Sequence, residues 1–168
     1  MDAPANPRLR TLTVQDILWT NLQITRRVNH YSNPRLEEAT YYQFGYGDSQ
    51  DVVGQAARVL SGFVRMAPFD AGNEATALAA TIAFLELNDH ELTLSDEALA
   101  GSAKPALASL EAARALLAGN VRKVEGHHDE GMTYGHGGVG GGNDVRAVIT
   151  SVIQRHPKSI GVLETASR

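Results

Sequence analysis

Cysteine is absent from this chain of 168 residues, and aromatic residues make up only 6% of it. Without thiols the chain can form no disulfide and can offer no thiolate to a zinc ion or to a substrate. An excess of positive charge is also missing, because 15 Lys and Arg stand against 19 Asp and Glu and give a net charge of -4. We therefore expect no nucleic-acid partner, since binding to a phosphate backbone needs a basic surface.

Long hydrophobic runs are missing as well. The longest nearly apolar stretch, residues 77–87, is interrupted by Thr81 and Glu86 and is far shorter than the roughly 20 residues that cross a bilayer. Residues 1–10 contain neither an apolar h-region nor a small-residue cleavage site. We expect a flexible tail over residues 1–10, no membrane partner and a cytoplasmic location, with which the lack of cysteine agrees.

Helical periodicity is what the sequence does contain. Hydrophobic residues make up 43% of the chain, enough for one core, and they recur at helical spacing without a series of alternating strands. The predicted helices follow the caps Thr13, Asn33, Ser49, Ser95 and Asn143, and a further one begins at Gly72-Asn73. Pro68 ends the third helix near Met66, and Lys104-Pro105 separates the fifth helix from an Ala/Leu-rich helix over residues 106–118.

One predicted helix, residues 76–87, is apolar on nearly every side, so we place it at the centre of the domain. The helix before it is amphipathic, with Gln55, Arg58 and Arg65 on its exposed face. The predicted fold is therefore all-α, a helical bundle around a central buried helix. This domain spans residues 11–120 and is followed by a Gly-rich linker or loop at 121–142, and by a C-terminal helix and tail at 143–168.

The junction between the third and fourth predicted helices carries a recognisable pattern. Residues 67–76 read Ala-Pro-Phe-Asp-Ala-Gly-Asn-Glu-Ala-Thr, and the buried helix that follows ends in Phe-Leu-Glu-Leu-Asn. This stretch resembles the Fic/Doc (Fido) family in its death-on-curing branch, whose motif reads His-Pro-Phe-x-Asp/Glu-Gly/Ala-Asn-Lys/Gly-Arg-Thr-Ala. The resemblance extends over roughly residues 9–118 and implies a Fic/Doc-like helical bundle.

Members of that family transfer AMP or a phosphoryl group from a nucleotide to a hydroxyl of a target protein. The resemblance implies a histidine base, a carboxylate that holds a metal ion, and an Asn, a Lys or Gly and an Arg that hold the phosphates. This chain has Ala67 at the histidine position, Ala71 at the carboxylate position, Glu74 at the Lys/Gly position and Ala75 at the Arg position. The positions retained are Pro68, Phe69, Gly72, Asn73 and Thr76, and Asp70 occupies the variable position.

The motif is thus degenerate, and we expect no catalytic residue, no metal ion, no cofactor and no transfer activity. Gly72 and Asn73 are the positions left for phosphate binding. The carboxylate of Glu74 would oppose a phosphate by about 4 kcal/mol per charge pair at ~4 Å, before screening. A structural role is the simpler interpretation, in which Pro68 and Phe69 set the turn and fill the core and Asn73 caps the central helix.

Two functions are compatible with this resemblance. The first is a pseudoenzyme that binds a protein partner, either an antitoxin-like peptide, as in toxin–antitoxin pairs of this branch, or a target protein. The alternative is an active transferase that uses ATP or another nucleotide with Mg²⁺ and relies on relocated residues, with Asp70, Asn73 and Arg65 as the first candidates. The family's inhibitory motif, Ser/Thr-x-x-x-Glu-Gly/Asn, is not intact, because Val121 occupies the hydroxyl position before Glu125-Gly126.

Three further groups of residues carry weaker signals. Residues 135–140 match the letters of a dinucleotide fingerprint, but no hydrophobic strand precedes them, so a linker is the better interpretation. Residues 127–130 and His136 have metal-ligand chemistry without ligand spacing, and we expect a surface loop there. The third group is aromatic and consists of Tyr41, Tyr42, Phe44 and Tyr46. It forms either a partner-binding patch, where Fic/Doc relatives carry a target-docking flap, or an apolar lid over the core.

Overall fold

The structure, a computed structural model, describes residues 9–44, 51–125 and 142–166. These residues form an all-α fold with one short antiparallel sheet, which confirms the predicted class. The helices are α1 (Val14–Thr25), α2 (Asn33–Tyr41), α3 (Val52–Met66), α4 (Asn73–Leu87), α5 (Asp96–Ala106), α6 (Leu110–Ala118), α7 (Gly142–Arg155) and α8 (Pro157–Ala166). The strands are β1 (His90–Leu92) and β2 (Val121–Lys123), which pair with Glu91 opposite Arg122.

Helix α4 lies at the centre of the fold, as its sequence predicts. Along its length only Asn73, Glu74 and Glu86 escape full burial. Helix α3 packs most extensively along α4, and α1, α7 and α8 also pack against it. Although α4 is apolar all round, neither it nor any other helix in the described ranges has the length and hydropathy to cross a membrane. The burial of α4 fixes its first turn, and with it the motif positions, against the end of α3.

Local capping agrees with the prediction at the start of α1 and differs at the start of α2. Thr13 and Asp16 form a capping box, in which the Thr13 hydroxyl accepts from Asp16 N and the Asp16 carboxylate accepts from Thr13 N. Helix α2 is capped by Ser32 instead of Asn33. Ser32 is the cap because its Oγ accepts from Arg35 N, which leaves Asn33 as the first helical residue.

Two helix boundaries differ from the prediction, both at a proline. Helix α5 runs through Lys104-Pro105 to Ala106, and the break comes only before Ser109, the cap of α6. Pro105 has no N–H and so cannot bond to the Gly101 carbonyl, but only Ala106 follows it in the helix, so the loss falls at the helix end. At the C-terminus Pro157 begins α8 at a place where we predicted a stop, since a proline at the first helical position needs no partner for an N–H.

Gln55 is buried, in contrast to its predicted place on the exposed face of α3. Its Nε2 donates to the Gln43 carbonyl at 2.7 Å. Gln43 is buried too, and its side chain accepts from the backbone N–H of Leu12 and donates to the Leu12 carbonyl. These glutamines are buried because the backbone before α1 and after α2 needs hydrogen-bond partners inside the protein.

Several sequence predictions fall outside the described residues. They concern the tail before Leu9, the cap Ser49, the aromatic residue Tyr46, and the Gly-rich segment with its histidine cluster and its fingerprint at residues 127–140. Within the described residues α3 is capped by Asp51, whose carboxylate accepts from Gly54 N.

Candidate functional site

The motif residues lie in the turn between α3 and α4 and in the first turn of α4; we call residues 67–72 the motif loop. Ala67 follows the last residue of α3, and its N–H donates to the Phe63 carbonyl at 2.9 Å. Its backbone is left-handed, with φ of 44°. Its side chain is exposed and, as a methyl group, can neither accept nor donate a proton. The histidine position of the motif therefore faces solvent without a base.

An extended segment before α2 holds the motif loop on one side. Ser32 N donates to the Pro68 carbonyl at 2.9 Å, and Asp70 N donates to the His30 carbonyl at 3.0 Å. These two bonds flank a short antiparallel bridge between Tyr31 and Phe69. The backbone of the loop is thus fixed by main-chain bonds that do not depend on motif chemistry.

Phe69 is the apolar anchor of the motif loop. It is 5% exposed and stacks on Phe63 of α3 with ring centroids 6.4 Å apart. Its ring also contacts Tyr31, with a distance of 6.0 Å between the ring centroids. Pro68 is buried beside it. The predicted structural role of Pro68 and Phe69, to set the turn and fill the core, agrees with these contacts.

Asn73 does not cap α4, which corrects the sequence prediction. Its Oδ1 accepts from Phe69 N at 2.9 Å, and its Nδ2 donates to the Phe69 carbonyl at 2.7 Å. The cap is Gly72, which has φ of 81° and makes no side-chain cap. A Cβ at Gly72 would lie 2.5 Å from Thr25 Cγ2, so only glycine fits this turn. A phosphate oxygen at the Asn73 amide would have to compete with the Phe69 carbonyl.

A buried amide network supports the loop from α1. Asn21 Nδ2 donates to the Ala71 carbonyl at 3.0 Å and to Thr76 Oγ1 at 3.1 Å, while Asn21 Oδ1 accepts from Asn29 Nδ2 at 2.9 Å. Asn21 is 2% exposed, so these bonds are shielded from water. Asn21 and Asn29 were not predicted from the sequence as part of this site. The available signal was a polar side chain between two apolar positions of α1, because such a residue needs a partner inside the fold.

Glu74, at the Lys/Gly position of the motif, is paired with Lys104 of α5. Lys104 Nζ lies 2.7 and 3.0 Å from the two carboxylate oxygens. This contact offsets the negative charge that we expected to oppose a phosphate. Ala75, at the Arg position, is fully buried, so no side chain at that position reaches the surface. Neither position thus presents a free cation, because Glu74 pairs with a lysine of the same chain and Ala75 is buried.

The residues considered as relocated catalysts are not brought together by any described contact. Arg65 Nη2 donates to the Tyr42 hydroxyl at 3.0 Å, and its guanidinium lies 5.5 Å from the centre of that ring. Asp70 is exposed, and Asn73 is bound to the loop. In the described part of the chain no group of three or more His, Cys, Asp or Glu could hold a metal ion.

The described members of the aromatic group differ in their exposure and in their contacts. Tyr41 and Phe44 are 62% and 41% exposed, and their rings lie 5.7 Å apart at the surface. Tyr42 is half-buried and packs against Gly62 of α3, where a Cβ would lie 2.5 Å from the ring. Tyr42 therefore packs against α3, whereas Tyr41 and Phe44 form an exposed pair.

An apolar groove adjoins the motif loop at Phe69. It has a volume of about 320 Å³ and lies between α1, the segment before α2, and α7. Its lining consists of Gln15, Leu18, Trp19, Asn21, Leu22, Val28, Asn29, Tyr31, Phe69 and Arg146. We call it the Trp19 groove. It exposes the apolar side chains of Leu22, Val28 and Tyr31 to solvent.

No family model matches this chain, and no curated protein or solved structure matches it either. The resemblance to the Fic/Doc family therefore stays a prediction from the motif. What the site can do follows from the contacts of the motif loop and from the Trp19 groove.

Proposed function

We propose that this chain is a relative of the Fic/Doc family that acts by binding a protein partner and does not transfer nucleotide. The observation that carries the proposal is the way the motif loop is held. Asn73 is bound to the Phe69 backbone, and Glu74 is paired with Lys104. Contacts inside the protein thus occupy the positions at which the family pattern needs groups that face a nucleotide.

The chemistry of transfer supports the same proposal. Moving an AMP or phosphoryl group requires a base for the incoming hydroxyl, a metal ion, and cations around the phosphates. Ala67 and Ala71 supply neither a base nor a metal ligand, and Ala75 supplies no cation. Binding a protein makes none of these demands, because it needs apolar area and a complementary shape.

The position of the Trp19 groove also favours a binding role. The groove shares Phe69 with the motif loop, so the loop and the exposed apolar surface lie side by side. We assign this role to the cytoplasm as part of the same proposal, because a chain without cysteine suits a reducing compartment.

A thermal unfolding titration with ATP, GTP, ADP and AMP tests the proposal. Each nucleotide is added with and without Mg²⁺, and Mg²⁺ alone serves as the control. A ligand at about 100 times its Kd stabilises a protein by roughly 2.7 kcal/mol and raises the Tm by several degrees. We expect no shift with any of them.

A Mg²⁺-dependent shift would contradict the proposal and favour the alternative, a transferase with relocated residues. That alternative makes its own prediction: labelled ATP or GTP, added with a cell lysate, would give a modified protein band. The band should disappear in Asp70→Asn, a change at an exposed side chain that leaves the loop contacts in place.

A further inference from the structure

We propose that the Trp19 groove binds an acidic amphipathic segment of a partner protein. This inference rests on the partner-binding function proposed above and names its surface and the chemistry of the ligand. Three exposed apolar side chains line the groove: Leu22 at 38%, Val28 at 88% and Tyr31 at 46% exposure. Apolar side chains gathered on one exposed surface mark a place where another molecule binds.

The groove has fixed aromatic walls. Trp19 packs against the core, and the guanidinium of Arg146 lies 5.2 Å from the centre of its indole ring. Phe69 is held between Phe63 and Tyr31. Tryptophan and tyrosine dominate the binding energy of many interfaces, and side chains that are already ordered lose little entropy on binding. A volume of about 320 Å³ provides room for apolar side chains of a ligand.

The charges around the groove select the ligand. Its lining contains the cation Arg146 and no carboxylate; the residues next to the lining in the chain add two cations, Arg26 and Arg27, and one exposed carboxylate, Asp70 beside Phe69, so cations are in excess. Arg26 and Arg27 lie in the chain between the lining residues Leu22 and Val28, are exposed, and make no ion pair with a described carboxylate. Because the whole chain has a net charge of -4, the positive charge beside the groove is a local feature. A ligand with carboxylates beside its apolar residues complements this surface.

Two other occupants fit the groove less well. A second copy of the chain, docked through the same groove about a two-fold axis, would bring its own Arg26 and Arg27 toward those of the first copy, and like charges repel. An anionic membrane would match the charge. However, a lipid surface is met by several protruding apolar side chains, whereas here only Val28, at 88% exposure, protrudes strongly, and the rest of the lining forms a concavity that takes side chains into it.

A selection from a random-sequence peptide library tests the proposal on the full chain. The same library is selected in parallel on the wild type, on Val28→Asp, and on Val162→Asp as the matched control. Val28 and Val162 are both exposed, so neither change should disturb folding, and Val162 lies on α8 outside the groove. We expect peptides that combine apolar residues with Asp or Glu to be enriched on the wild type and on Val162→Asp, and not on Val28→Asp.

Fluorescence then measures the affinity of the enriched peptides directly. Trp19 is the only tryptophan in the chain and lines the groove, so its emission reports occupancy. We expect Kd to rise about tenfold or more in Val28→Asp and several-fold in Arg27→Glu. The matched charge control, Arg114→Glu on exposed α6 surface, should bind as the wild type does. Added salt should weaken binding to the wild type.

Four outcomes would overturn the proposal. They are no enrichment beyond that on Val28→Asp, enrichment of peptides with net positive charge, a change in Trp19 emission with anionic vesicles but with no peptide, and a monomer–dimer equilibrium that Val28→Asp abolishes. None of these outcomes bears on nucleotide transfer. Conversely, a chain that transfers a labelled nucleotide and still selects acidic peptides would contradict the proposed function and leave the groove assignment intact.

Discussion

Asn73 joins the start of α4 to the motif loop through one side-chain amide. The amide pairs with both the N–H and the carbonyl of Phe69, as a backbone strand would. This double contact gives the asparagine a structural use that needs no nucleotide. It accounts for an asparagine at this position in a loop that has Ala67 and Ala71 where the family pattern places its reactive groups.

Replacement of this residue gives a prediction for stability. We expect Asn73→Ala to lower the free energy of unfolding by about 1–3 kcal/mol, because it leaves two part-buried backbone groups of Phe69 without their partner. The measurement is urea unfolding. Asn33→Ala is the matched control, since Asn33 is exposed and its side chain makes only a 3.4 Å contact with Glu37. Equal stability of the two variants would contradict this account.

The place of this site in the chain was predictable from the sequence, whereas the role of Asn73 in it was predicted wrongly. Pro68 ends α3 by local geometry, so the turn was predictable, and Phe69 was predictable as core from its neighbours. The residue that caps α4 was not predictable, because asparagine is also a favoured cap and the choice between Gly72 and Asn73 depends on the backbone of Gly72. Gly72 has φ of 81°, and the contact that excludes a Cβ there comes from Thr25 of α1, which leaves no trace in the local pattern.

Among the elements, α8 shows how one helix can be started by a residue of another. Asp96, the first residue of α5, accepts from Lys158 N at 2.8 Å and from Ser159 N at 2.9 Å. Ser159 Oγ also donates to the Asp96 carboxylate at 2.7 Å. A distant carboxylate thus caps α8, which the sequence next to His156-Pro157 could not reveal. The local pattern there is typical of a helix stop.

This cap makes stability depend on pH. Burial raises the pKa of Asp96, but the hydrogen bonds from Ser159 and Lys158 and the nearby charge of His156 lower it further, so the pKa lies below its ordinary value. The folded pKa is therefore below the unfolded pKa, and Asp96 contributes stability above the unfolded pKa that is lost as the pH falls through the folded pKa.

Urea unfolding from neutral pH down to acid pH would measure that contribution. We expect the wild type to lose stability below the ordinary pKa of an aspartate, roughly pH 4. Asp96→Asn should be less stable at neutral pH and should show a smaller loss over the acid range. Glu111→Gln, a change at an exposed first-turn acid of α6, is the control and should follow the wild type. Parallel curves for wild type and Asp96→Asn would contradict the role of Asp96.

In the molecule as a whole, the C-terminal helices belong to the same core as the other described helices. Helix α7 packs against α4 and α8 packs against α5. Their buried residues join the core cluster, and they are Val145, Ile149, Val152, Ile160 and Leu163. The central position of α4 was predictable because its apolar character is local. Which helices cover α4 was not predictable, because α7 and α8 lie beyond the region of the family resemblance.

A core substitution in α7 tests this unity. Ile149 is fully buried, so Ile149→Ala should lower the free energy of unfolding by about 2–5 kcal/mol. Circular dichroism and Trp19 fluorescence should report one transition at the same denaturant concentration. Val162→Ala, at a side chain that is 45% exposed, is the control and should change little. Two separate transitions would indicate that α7 and α8 fold independently.

The pair of Glu74 and Lys104 restricts which changes this chain can accept. A lysine at position 74, which the family's phosphate clamp favours, would place two ammonium groups together where a carboxylate and an ammonium now lie 2.7 Å apart. Such a change loses an attraction and adds a repulsion before any phosphate can compensate for them. In evolutionary terms, the route from this loop to a nucleotide clamp passes through a slightly less stable protein, by about 1 kcal/mol or less for a pair this exposed, unless position 104 changes first.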